Sequence, residues 1–195
     1  MIKRTDKLRR ICLWAGIGLL AAAAVVLGLW QWNIHAAAEK SAYYVDAIRD
    51  LTPAPQDALL EERRDNTMSA LAIDGTDFIG LLELPQYGCA LPVCADWGAV
   101  EQYPCRLEGS VYDRSIRIGA TTQAGQFEFY QQISVGDRVT FTDMEGNRYT
   151  YAVTDIRYAR HADQAALTQR DAALVLFIKN THALEYLLLY CTPLG

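Results

Sequence analysis

Gly136-Asp137-Arg138-Val139-Thr140-Phe141-Thr142-Asp143-Met144-Glu145-Gly146-Asn147 turns one strand back toward another. Val139 and Phe141 alternate with polar neighbours, the period-two pattern of a strand with one buried face. Tyr149, Tyr151 and Val153 repeat that alternation beyond the cluster Asp143–Asn147, which carries Gly146 in the turn. The spacing predicts an antiparallel hairpin, 138–142 with 149–154.

On either side of the hairpin the same kind of element recurs. Phe78-Ile79-Gly80-Leu81-Leu82-Glu83-Leu84-Pro85 reads as a strand stopped by Pro85, and Ile116 to Gly119 as a short one. Downstream, 163–172 reads as a short helix, followed by two nearly continuous apolar runs, Ala173 to Ile178 and Glu185 to Tyr190. Runs without alternation belong to strands buried on both faces. Short strands punctuated by Gly and Pro predict a mainly β domain, a small closed barrel with short helices, over 69–195.

The N-terminal third is different. Residues 1–10 carry Lys3, Arg4, Lys7, Arg9 and Arg10 against Asp6, and 11–32 (ICLWAGIGLLAAAAVVLGLWQW) hold no charge. A run of that length as a helix spans about 30 Å of hydrocarbon, with Trp14, Trp30 and Trp32 near its ends, where indoles favour the interface. The expectation is a single transmembrane helix, a basic cytoplasmic tail at 1–10 and an extracellular remainder. A signal peptide cleaved after Ala38 is the alternative; its apolar core is normally about 7 to 15 residues. Residues 33–68 read as a spacer with helical stubs at about 36–50 and 56–65, broken at Pro53 and Pro55.

The chain is 195 residues with net charge −5; setting aside the +4 tail leaves −9 for the exported part. That balance argues against nucleic acid, which calls for a basic face. Of five cysteines, Cys12 lies in the apolar run, leaving Cys89, Cys94, Cys105 and Cys191. Four exported cysteines allow two disulfides in three connectivities, Cys89–Cys94 with Cys105–Cys191 among them, or four free thiols. Their spacing, without adjacent His, suits a metal poorly, and no metal or cofactor is expected.

Pro104-Cys105-Arg106, Ile118-Gly119-Ala120-Thr121 and the 136–147 stretch together resemble the barrel half of a sortase, the cysteine transpeptidases that attach proteins to Gram-positive cell walls. Leu81–Pro85 resembles the first barrel strand, Leu91-Pro92-Val93 the segment that follows, and Leu174–Phe177 the strand delivering the nucleophile, in the style of class B-like or class D-like sortases. The resemblance covers about Asp77 to Cys191 and implies three functional side chains. A cysteine thiolate forms a thioester with the sorting signal, a histidine moves protons, and an arginine on the neighbouring strand holds the oxyanion. Carried over, the histidine position is Thr121, the cysteine position Lys179 and the arginine position Tyr186.

Three functions follow as expectations. A degenerate sortase homologue would bind sorting-signal peptides, surface or pilin proteins, or an active sortase. In a slipped register, Leu187–Pro193 resembles a nucleophile strand with Cys191 as the thiol and His182 as its partner, an active transpeptidase or hydrolase. A structural envelope protein with a closed cleft is the third. Lys179 reads either as a buried catalytic amine or as a solvated strand-end lysine; His161 and His182 read as exposed loop residues.

Overall fold

The computed structural model describes all residues except 1, 59–65, 161–171, 182, 184 and 195, and the side chains of 2–12, 30 and 33–35 are also outside the description. The chain divides into Met1–Ala36 and Ala37–Gly195. One helix, α1 (Ile2–Leu51), runs through the boundary. It stops because Pro53 disfavours helical backbone at Thr52; the Thr52 amide and hydroxyl both donate to the Ile48 carbonyl, at 2.9 and 2.7 Å.

In the first unit, the described side chains of the uncharged run, among them Leu13, Trp14, Leu20, Val26 and Trp32, are exposed. Among the described residues no helix is long and apolar enough to cross a membrane. Of that run, the side chains of 11, 12 and 30 lie outside the description.

In the second unit the strands are β1 (Gln56–Asp57), β2 (Leu71–Ile73), β3 (Thr76–Leu84), β4 (Cys89–Cys94), β5 (Cys105–Glu108), β6 (Ile116–Thr121), β7 (Arg138–Asp143), β8 (Asn147–Arg160), β9 (Leu174–Lys179) and β10 (Glu185–Pro193). Neighbours run β8-β10-β9-β6-β5-β4-β3, and β7 joins β3 to β8, so eight strands close a barrel. β8 makes closure possible by its length. Its first half pairs with β7 (Thr142 opposite Arg148, Arg138 opposite Ala152), while β10 pairs along it from Tyr151 to Arg160. A register shift at Tyr190/Cys191 marks the bend in that pairing.

The predicted hairpin is present with both strands longer than expected, and Val139, Phe141, Tyr151 and Val153 all point into the barrel core. The strand at 116–119 continues to Thr121. The expected helix at 163–172 falls almost wholly outside the described residues. The helical stub expected at about 36–50 is present as the end of α1, but it does not stand off as a spacer: Tyr44, Val45 and Ile48 are buried against Phe78, Leu81 and Tyr103 on the outside of the barrel. Of the stub expected at 56–65, Gln56 and Asp57 instead add a short parallel strand beside Asn147 and Arg148, and 59–65 lie outside the described residues. In both cases helical periodicity was visible and the partner surface was not.

Candidate functional site

Thr121 ends β6, Lys179 ends β9, and the two are register partners across a parallel pair. Tyr186 on β10 is the antiparallel register partner of Lys179. The three positions carried over from the resemblance, separated by up to 65 residues in sequence, therefore form one row across adjacent strands. Alternation sets the face. Ala120, Ile178 and Leu187 fill the barrel core, whereas Phe177, Leu188 and Tyr186 belong to a separate cluster outside it, so the row lies on the outer face.

Each of the three is engaged by neighbouring residues. Thr121 is 0 % exposed. Its amide donates to Gln126 Oε1 at 3.0 Å, and its carbonyl accepts from the Phe127 amide at 3.2 Å. Lys179 Nζ donates to Glu101 Oε1 at 2.9 Å. That hydrogen bond and the carboxylate charge hold the amine above its usual pKa, with burial opposing only weakly, so at neutral pH the amine is an ammonium without a lone pair for attack. Tyr186 packs half-buried against the outer cluster.

A segment missed in the sequence covers this face. Residues 95–104 connect β4 to β5, and a single 3-10 turn, Trp97–Ala99, sits on them, capped by Asp96 accepting from the Gly98 amide at 2.9 Å. The Trp97 indole packs on Phe177 with ring centroids 5.5 Å apart. A β-carbon on Gly119 would stand 2.4 Å from that indole and 2.7 Å from the Phe177 ring, so glycine in mid-strand creates the seat. Glu101 adds a second fastening by accepting from Gln123 Nε2 at 3.3 Å, and Gln126 Nε2 donates to the Val100 carbonyl at 3.2 Å. The signal was available: Gly119 between Ile118 and Ala120 marks a close approach, and Trp97 is the one tryptophan outside the N-terminal run.

The alternative nucleophile is sealed. Cys191 points into the barrel, 0 % exposed, and burial pushes its thiol up to about 12. Its proposed partner His182, like His161, lies outside the described residues. The four described cysteines are free, and the one connectivity named from the sequence, Cys89–Cys94 with Cys105–Cys191, is not what the strands place together. Cys89 and Cys94 sit at opposite ends of one strand, about 16 Å apart at strand rise. Cys105 and Cys191 lie in different core clusters. Instead Cys94 and Cys105 are register partners across β4 and β5. Among the described residues no group of His, Cys, Asp and Glu is placed to hold a metal.

A cavity of about 630 Å³ lies elsewhere, against β3, β7 and β8, with Arg114, Arg138 and Arg148 in its wall. It contains none of the row residues.

No protein-family model and no curated protein matches the sequence. Solved structures do. Sortase C1 from Streptococcus agalactiae matches with a TM-score of 0.54 and 20 % identity over 64 % of this chain and 71 % of that one. Sortase C from Clostridium perfringens, solved with the C-terminal cell wall sorting motif, matches at 0.52 and 17 % over 61 % and 71 %. The sortase D5 transpeptidase of the same organism matches at 0.50 and 13 % over 61 % and 80 %. The protein has a sortase-like fold, as the motifs indicated; the matches span classes C and D among others and single out neither class B nor class D style.

Proposed function

We propose that this chain is a sortase-fold protein that does not transpeptidate and works by binding, held at the outer face of a membrane by its N-terminal helix. The observation that carries the reading is the Thr121–Lys179–Tyr186 row. The fold brings together the three positions that the resemblance assigns to chemistry, and they hold no thiol, imidazole or guanidinium. The proposed ligands are sorting-signal peptides, surface or pilin proteins, or an active sortase, since a retained frame without a nucleophile keeps its value through recognition. The anchor rests on the basic tail followed by an uncharged run whose described apolar side chains are exposed, a surface that calls for lipid or a partner.

A second reading, a structural envelope protein with its cleft closed, is favoured by Trp97 lying over Gly119 and Phe177.

The test is intact-mass spectrometry of the full chain after incubation with a panel of sorting-signal peptides, with fluorescence anisotropy on the same peptides. Unchanged masses with saturable binding are expected. A peptide adduct, or cleavage between Thr and Gly, would mean a nucleophile exists and would overturn the proposal. Unchanged masses without binding to any peptide, surface protein or sortase would favour the structural reading.

A further inference from the structure

Cys94 is the last residue of β4 and Cys105 the first of β5. The ten residues between them are the segment that lays Trp97 and Glu101 over the outer face, so the two cysteines stand at its two feet. They are the register partners of a parallel pair, and neighbouring strands run about 4.8 Å apart, inside the Cα separation of about 4.4 to 6.8 Å that a disulfide accepts. Both side chains lie in the same cluster outside the barrel, 1 % and 0 % exposed. The Tyr103 carbonyl, 3.2 Å from Cys105 Sγ, is an alternative acceptor for the one Cys105 thiol proton.

The environment favours exchange chemistry. The hydrogen bond with Cys105, helped by the Asp96 amide, lowers Cys94 against the opposing effect of burial, while Cys105 is pushed up by the same partner and by burial. A thiol whose ionisation is favoured beside one whose ionisation is opposed is the arrangement of an attacking and a resolving sulfur. Cys89 and Cys191, both raised by burial, have no such neighbour among the described cysteines.

We propose that Cys94 and Cys105 form a reversible disulfide that latches the 95–104 segment down over the Thr121–Lys179–Tyr186 row. When the segment opens, the Cys94 thiolate attacks a sulfur of an external disulfide, that of a thiol–disulfide oxidoreductase or a low-molecular-weight disulfide, and expels one thiolate. Cys105 gives its proton to solvent and attacks Cys94 Sγ, expelling the second. The protein loses two electrons and two protons, and the external disulfide is reduced to two thiols. Excess dithiol reverses the sequence. This inference concerns the cover and holds whichever ligand the row takes.

The full chain is equilibrated with graded ratios of oxidised to reduced glutathione and alkylated. It is then digested with a glutamyl endopeptidase, which cuts after Glu101 between the two cysteines. Expected are a loss of two hydrogens, a linked pair of peptides carrying Cys94 and Cys105, and the same link in Cys89→Ser. Native cleavage after Glu101 is expected to slow by about tenfold on oxidation, because cutting needs local opening, and to recover with dithiothreitol. A link through Cys89, or free thiols at both positions even after oxidative refolding, overturns the pairing. A Cys94–Cys105 link that leaves the cleavage rate unchanged overturns the latch. Both results are separate from peptide binding, so failure here leaves the proposed function standing.

Discussion

Trp97 occupies the space into which a side chain on Gly119 would project, 2.4 Å from where its β-carbon would stand. The contact joins a loop residue to a mid-strand residue 22 positions away and decides whether the outer face is open or covered. Gly119→Ala should force the indole off Phe177. Overpacking of this kind costs about 1–3 kcal/mol, and the neighbours that must give are large rings. Trp97→Ala should relieve the conflict, so the double variant should be less destabilised than the two single changes added together, with a coupling of about 0.5–3 kcal/mol. Chemical denaturation of the four proteins checks this; additive effects would mean that the indole does not lie on Gly119.

Lys179 and Glu101 make the second fastening, and it is weak by its exposure, 42 % and 54 % for the two side chains. Glu101→Gln should change stability by no more than about 1 kcal/mol. The titration is the sharper readout. The carboxylate raises the lysine's folded pKa above its ordinary 10.5, so its contribution is complete below pH 10.5 and disappears as pH rises through the folded value. In Glu101→Gln the Lys179 pKa should fall back toward 10.5, measured by NMR of the side-chain carbon next to the amine. An unshifted value would show that the pair does not persist in solution.

How much of this was legible in the sequence follows from range. The 138–154 hairpin was readable because its alternation and its turn lie within a few residues of each other. β9 and β10 were readable as apolar runs. The row was readable only through the resemblance: nothing local to Thr121 or Tyr186 announces that Lys179 lies between them, since the β6–β9 pairing is parallel and bridges about 58 residues. The packing of Tyr44, Val45 and Ile48 was misread as a spacer because an amphipathic helix looks the same whether its apolar face meets a barrel or nothing. For the cysteines the sequence left three connectivities and free thiols open, and range again hid which residues meet. Cys89 and Cys94 are near in sequence, but an extended strand separates them, and the crossover at 95–104 returns Cys105 beside Cys94 instead.

Cys191 gives a test of the slipped register that needs no substrate. A thiol with no exposure and a pKa near 12 has almost no thiolate at pH 8. Iodoacetamide should leave Cys191 unmodified in the native chain over hours and label it fully in denaturant, read by peptide mass spectrometry. Cys191→Ala should remove no activity, because none is expected, and should destabilise the barrel by about 1 kcal/mol through the small cavity it leaves. Rapid native labelling would return Cys191 to consideration as a nucleophile.

Tyr87 and Asp137 supply the pH-dependent prediction. The Tyr87 hydroxyl donates to Asp137 Oδ2 at 2.5 Å, and its ring stacks on Phe129 with centroids 4.7 Å apart. Asp137 Oδ2 also accepts from the Ser134 amide at 2.8 Å, so the phenol ties the turn after β3 to the loop that leads into β7. Burial, then the hydrogen bond to Asp137 and its charge, raises the phenol from 10 to about 12. A folded pKa above the unfolded one means that the contribution is complete below pH 10 and is lost as pH climbs from 10 toward 12. Tyr87→Phe keeps the stacked ring and loses only the hydroxyl, which should cost about 1 kcal/mol at pH 8. The difference between the two proteins should narrow by pH 11, where the unfolded phenol ionises. Other tyrosines and lysines titrate in both chains and cancel in that difference. Urea denaturation at the two pH values decides it: a gap unchanged from pH 8 to pH 11 would mean that the Tyr87–Asp137 hydrogen bond contributes nothing to holding the turn.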